Sequence, residues 1–352
     1  MHKTLAQQGF IMPAEWEKHS RTWLAWPNEK LDWPGKFAPI PWVFAEIARH
    51  ITASEKLGLV VKNKTAEKLA QEFLDKSGVN LGMVEFLVHP TNRGWMRDCG
   101  AIFVSNKKKK EIVALDFEFN AWAKYHNFQY DNKLAKVIAN KLGINSVKPV
   151  HKNRNVVLEG GAIEVNGSGT LITTKECFLS KKQCRNPGFT QADYEQVFAD
   201  YLGVSNVIWL NKGIVGDDTH GHVDDITRFV NRDTVVTVVE KNRKDKNNAI
   251  LDENLQILKS SRIENGTNLN VIELPMPQPV VFDGEILPAS YANFLIANKT
   301  ILVPIFNDPL DREALNILAS SFPKHEVVGI YARDLVWGLG TIHCLTQQQP
   351  EI

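Results

Sequence analysis

A short hairpin followed by a helix and one more strand recurs along this chain at intervals of roughly 50 to 70 residues, and a repeat of that size constrains the fold more than any other feature. After Asp98, the run 101–104 turns through 105–107 into 111–119, and after Glu159, the run 162–165 turns through 166–169 into 170–174. After Asp224, residues 226–230 turn into 234–240, and after Asn293, residues 294–298 turn into 301–306. β-Branched and aromatic residues around a short polar turn predict hairpins. Between them, apolar positions at helical spacing predict helices over 131–142, 190–202 and 311–321, with Thr190 and Asp193 as a capping pair. The last two helices lead into further strands at 206–210 and 326–330. A fifth unit is expected from the two ends of the chain: 22–26 with a helix over 43–51, completed by the segment after Cys344. Five ββαβ modules predict an α/β fold closed as a five-bladed, pseudo-fivefold propeller. With no Pro, Gly or Ser-rich linker to divide it, the chain is expected to form a single catalytic domain over 1–352.

The markers that open these units are reactive: Asp98, Glu159, His222 with Asp224, and Cys344. In a ring of equivalent modules they meet on the axis. A free thiol ionises near about 8.5 and needs a cation or a base beside it to act as a nucleophile. Cys344 follows the turn Gly338-Leu339-Gly340 close to the chain end, where little core remains for it to join. Residues 216–225 hold two histidines and four carboxylates. A metal site is one reading of that segment, although no Cys or His elsewhere shows ligand spacing. The other makes His222 a general acid and base with Asp224 on the same face of an extended segment, and His220 a neighbour.

Several acids at one centre, with no lysine or arginine placed among them in the repeat, need a compensating cation. The substrate supplies it on this reading, and a guanidinium suits best: planar, permanently charged, and rich in N–H donors for forked carboxylates. Its central carbon is an electrophile for Cys344. Global charge adds no selectivity, since 41 basic and 40 acidic residues leave a net charge of +1, which argues against nucleic acid or an anionic membrane as partner. Neither a signal-type leader in residues 1–20 nor an apolar run of spanning length is found, so a cytoplasmic location with reduced cysteines is expected.

Ordered motifs along nearly the whole chain resemble the agmatine deiminase family, within the guanidine-modifying superfamily that includes bacterial peptidylarginine deiminases. They include Met12–Glu17, Thr22–Pro27, Trp95–Asp98, Phe119–Trp122, Leu158–Gly161, Arg185–Pro187, Asp218–Asp224, Ser290–Phe294 and Ile342–Cys344. The resemblance implies the propeller fold and a cofactor-free, metal-free deimination of agmatine to N-carbamoylputrescine and ammonia. It further implies that Cys344 attacks the guanidinium carbon, that His222 shuttles protons, and that Asp98, Glu159 and Asp224 grip the guanidinium nitrogens. Family members commonly self-associate, which makes a homodimer the expectation. Trp95, Trp122 and Asp218 are the candidates for the alkyl chain and its distal amine.

The chain departs from the family's usual Gly-Gly-Gly-Asn before Ile-His-Cys, carrying Leu339 and Thr341 beside the nucleophile, and from its usual Arg-Asp-Thr-Gly-Pro at Cys99 and Ala101. Leu339 and Thr341 are therefore expected to shape the pocket. Free arginine, peptidyl-arginine or amidino transfer to an amine are the alternatives for the same site, and a non-catalytic guanidine-binding protein is the alternative from another class.

Overall fold

A computed structural model describes residues 3–352; Met1 and His2, the start of the stretch read above for a leader, lie outside the described residues. The fold is mixed α/β, built from several small sheets. Among the described residues, five sheets of three or four strands share one construction: an antiparallel pair, then a parallel neighbour reached through intervening chain that carries helix in each case. In one, Ile102–Asn106 pairs antiparallel with Glu111–Leu115, which pairs parallel with Asn145–Val147. The others run Glu164–Val165, Thr170–Thr174, Asn206–Leu210; then Thr227–Asn231, Thr234–Val239, Asn270–Pro275; and Leu295–Ile296, Thr300–Ile305, Glu326–Tyr331. In the fifth sheet the C-terminal strand Thr346–Pro350 lies antiparallel to His19–Ala25, which continues in parallel to Lys56–Val61 and Val84–Val88. The two chain ends are thus joined in one sheet.

Strands such as Thr170–Thr174 and Ile102–Asn106 are buried at every position, as expected when both faces of a sheet are covered. One apolar cluster joins Ile102, Val104 and Leu115 to Val165, Leu171 and Tyr194, and a larger one runs from Trp23 and Leu59 through Val235 and Val303 to Leu345. No helix among the described residues is long and apolar enough to cross a membrane.

Local differences from the sequence reading have physical causes. The 131–142 helix opens as a 3-10 turn, Asp131–Lys133, before Leu134–Leu142, and the 190–202 helix is Gln191–Val197 widening into a π-helical turn at Phe198–Leu202. Its capping box from Thr190 and Asp193 is formed. Strand 111–119 stops at Leu115, because the chain then leaves its partner for a single bridge between Glu118 and Val157. Helices Lys64–Lys76 and Lys246–Ser260 lie outside the expected elements, although the first carries Ala66, Leu69, Ala70, Phe73 and Leu74 at helical spacing and was legible in the sequence.

Candidate active site

Each repeat marker sits in or beside a short helical turn that leads into the first strand of its sheet. Asp98 lies in Met96–Cys99, Glu159 precedes Gly160–Ala162, Asp224 lies in Val223–Asp225, and Cys344 lies in Ile342–Leu345. His222 and Asp224 therefore do not share the face of an extended strand, as the sequence suggested; a tight turn separates them. Gly161 marks where the units meet. A Cβ built there would lie 2.5 Å from His222 Nδ1, 2.9 Å from Asp98 Oδ1 and 3.1 Å from Asp224 Oδ2. Only a glycine leaves room for the three groups, so Gly161→Ala is expected to lower kcat at least about tenfold by displacing the imidazole, checked by steady-state kinetics beside a melting curve.

Cys344 and Asp98 share a cavity of about 370 Å³. Asp98 is held in place by the Trp122 indole N–H at 2.9 Å and the Gly161 backbone N–H at 3.2 Å. Burial raises its carboxyl to about 6, with Asp224 and Glu159 adding to the rise. Burial also pushes the Cys344 thiol well above its ordinary range, and Asp224, Asp225 and Asp98 push further. Asp224 Oδ2 lies 3.6 Å from the sulfur, while its Oδ1 is buried without a partner. For His222, burial alone would lower the imidazole, but Asp98, Cys177 and Glu159 around it raise it well above its usual value. Its Nδ1 is 3.7 Å from Asp98 and its Nε2 3.8 Å from Glu159.

Glu159 does not line the cavity. Arg185 Nε donates to it at 3.1 Å, and although burial opposes ionisation, Arg185 and His222 bring the carboxyl down to about 2. The expectation of no basic side chain among the acids is thus corrected, since a cation from outside the repeat pattern already serves Glu159. Trp95 lines the cavity and packs on Trp33 with ring centres 5.7 Å apart. Trp122 lines it too, on a left-handed stretch with φ of 51°, 57° and 52° at Ala121, Trp122 and Ala123. Each such residue costs roughly 1–2 kcal/mol, and the Asn120 side chain, accepting from the Ala123 N–H, and the bond to Asp98 hold it there. Asp218 lines the mouth but is already ion-paired with Lys124 and accepts from the Tyr125 hydroxyl at 2.9 Å. Leu339 lines the cavity with a left-handed φ of 68°. Thr341 does not; it is buried and donates to Asn293 Oδ1 at 2.8 Å. His220 is apart from the cluster, with its Nε2 3.0 Å from Ser180 Oγ.

Sequence reasoning passed over the groups behind these. His343 Nδ1 lies 2.7 Å from Asp224 and its Nε2 2.8 Å from Glu15, which also accepts from Arg228 at 2.7 Å. Two donor sets are compact enough to share a metal ion, each within 4.8 Å: Glu159, Cys177 and His222, and Asp224, Asp225 and Cys344. Cys177 could not be found from spacing, since it lies 45 residues before His222 on the chain.

His222 and Asp224, like Glu159, do not line the cavity; a buried thiol and the Asp98 carboxyl in an acidic cavity, with the imidazole and the Asp224 carboxyl packed behind them, define a cysteine-centred site for a cationic electrophile. The chain belongs to the Porphyromonas-type peptidyl-arginine deiminase family, whose model matches residues 11–350. It is 36% identical to an agmatine deiminase of Pseudomonas aeruginosa (strain LESB58), over 97% of this chain and 96% of that protein. The solved agmatine deiminase of Enterococcus faecalis is 30% identical and superposes with a TM-score of 0.91 over 100% of this chain and 98% of its own. A cysteine-to-serine variant of the C. jejuni agmatine deiminase, solved with substrate bound, gives a TM-score of 0.85 at 26% identity, covering 97% of this chain and 96% of its own.

Proposed function

We propose that this chain hydrolyses a small guanidine, agmatine above others, to its ureido product and ammonia through a covalent adduct on Cys344. The observation that carries this reading is that the Cys344 thiol and the Asp98 carboxyl line one cavity, with Asp224 Oδ2 buried behind them 3.6 Å from the sulfur. The cavity is acidic, lined by Asp32, Asp98, Asp218 and Glu285 against Arg93, which suits a dication better than a zwitterion. The relatives named as agmatine deiminases support the same substrate.

Asp98 and Asp224 take the guanidinium N–H groups, and their neutralisation lets the thiol ionise. Sulfur then bonds to the central carbon and one C–N bond breaks. The departing nitrogen leaves as ammonia with a proton delivered by His222, which the thiol proton replaces, and the positive charge stays on the thiouronium adduct. Water attacks that carbon, the C–S bond breaks, and the products are the ureido compound, the regenerated thiol and one proton. Glu159, fixed by Arg185, orients His222 rather than gripping the substrate. The five similarly built sheets support a five-bladed propeller forming one catalytic domain, with the markers on its axis.

Asp218 and Asp32 are both ion-paired, with Lys124 and Arg93, but both Asp218 oxygens are engaged whereas Asp32 Oδ2 is buried without a partner at the cavity wall, and the distal ammonium pairs with that oxygen. Release of ammonia and ureido product is measured with agmatine, arginine, a blocked arginyl peptide and butylguanidine. Agmatine is expected to show the highest kcat/KM and to keep it in chelator. Preference for arginine or the peptide would refute the substrate assignment, and release from none of them would refute the deiminase reading. Asp32→Asn is expected to raise KM for agmatine about tenfold or more while butylguanidine, with no distal charge, changes less than about threefold. Equal losses on both would remove Asp32 from this role.

A further inference from the structure

We infer that Asn293 is a catalytic residue of this site, donating its amide N–H to the Cys344 sulfur and stabilising the thiolate that attacks. The inference rests on the deiminase reading above. Asn293 is fully buried, and its Nδ2 lies 3.0 Å from Cys344 Sγ. The orientation of the amide follows from its partners. Its Oδ1 faces the backbone N–H of His343 at 3.0 Å and of Cys344 at 3.3 Å, which can only donate, and the Thr341 hydroxyl at 2.8 Å. That leaves Nδ2 with one hydrogen for Asp225 Oδ1, at 2.9 Å, and one for the sulfur.

The charged groups around the thiol mostly oppose its ionisation. Burial raises it most, and Asp224, Asp225 and Asp98 add to the rise, whereas the Asn293 amide opposes it. A bound guanidinium offsets the acids but offers its own hydrogens to them. Asn293 is the donor aimed at sulfur before the substrate arrives, so no reorganisation is needed as negative charge gathers there. Its position fits the repeat: Asn293 sits just before the first strand of its sheet, Leu295–Ile296, as the other markers precede theirs. The fourth unit therefore contributes an amide where the others contribute acids, imidazole or thiol. Thr341 serves the same end by locking the amide oxygen, which gives a use to one of the departures beside the nucleophile.

The test reads the thiol directly. Alkylation of Cys344 by iodoacetamide is followed as a function of pH without substrate, with the modified residue identified by peptide mass, because Cys99, Cys177 and Cys184 are also free. Asn293→Ala removes the donor without adding charge, and Asn293→Asp keeps the acceptor oxygen while losing the donor. In both, the midpoint is expected to rise by about one unit or more and kcat to fall about 10²-fold, with KM for agmatine within about threefold. Thr341→Val, which leaves the sulfur contact in place, gives a smaller rise in the same direction. An unchanged midpoint in folded Asn293→Ala, as judged by its melting curve, overturns the inference whatever happens to kcat. Should alanine unfold the protein, an unchanged midpoint in Asn293→Asp overturns it equally. Alkylation needs no guanidine, so this result stands apart from whether the wild-type chain releases ammonia.

Discussion

Replacing Cys344 by alanine is expected to abolish ammonia release, with kcat falling about 10⁴-fold or more, while a guanidinium still binds within about tenfold of its wild-type affinity. The two effects separate because binding and bond formation use different atoms. Asp98 keeps its donors from Trp122 and Gly161, and Asp224 keeps His343, so the carboxylates proposed to receive the cation stay in place. Removal of the sulfur takes away the nucleophile and one like-charge source among the acids. Calorimetric titration with agmatine measures the first quantity and an ammonia assay the second. Acid quenching of the wild-type enzyme during turnover is expected to trap a mass increment on the Cys344 peptide that the variant lacks. Unchanged turnover in Cys344→Ala would sink the covalent mechanism, and loss of binding together with turnover would show that the thiol holds the site together.

How much of this site can be read from sequence depends on whether a residue is marked by position or by partner. The starts at Asp98, Glu159 and Asp224 carry a local signature, a polar residue just ahead of an apolar run, and that is why they stand out; Cys344 precedes the polar strand Thr346–Pro350 and stands out instead as a thiol after the Gly338-Leu339-Gly340 turn. Asn293 stands in the same series, yet an amide carries no titratable signal and passes for a turn residue. Glu15 and His343 fall within motifs shared with the family, but they are 328 residues apart on the chain, and nothing local says that they touch. Arg185 is similar, 26 residues from the Glu159 it neutralises. Side-chain direction is the other missing quantity. Leu339 and Thr341 are two positions apart, yet the left-handed backbone at Leu339 presents it to the cavity while Thr341 turns inward to Asn293. Asp218 was readable as an acid near the substrate, but its pairing with Lys124 is a contact between residues 94 apart.

His343→Gln is expected to lower kcat about 10³-fold and to destabilise the protein by about 3 kcal/mol. Carboxylate oxygens face both ring nitrogens, so the imidazole bridges the buried acids Asp224 and Glu15. Burial by itself would raise Asp224; the bond from His343 and its charge bring the carboxyl below its ordinary value. Without them Asp224 takes up a proton more readily and loses the anchor that aims its free oxygen at the substrate. Glu15 suffers less, because Arg228 still donates to it at 2.7 Å and Arg97 lies 3.7 Å away. The catalytic loss should therefore exceed what the loss of stability explains, and should grow as pH falls, since the stability contributed by an ionised Asp224 is present above its unfolded pKa and lost below the lower folded one. Without His343 to lower Asp224, that loss begins at higher pH. Melting curves and kcat recorded across the acid range measure both, with Glu15→Gln as a companion that leaves the His343 to Asp224 bond intact. A variant with kcat within about threefold of wild type would show that Asp224 needs no imidazole behind it. Equal losses in the two variants would make the whole buried chain, rather than the single bond to Asp224, the element that positions the carboxylate.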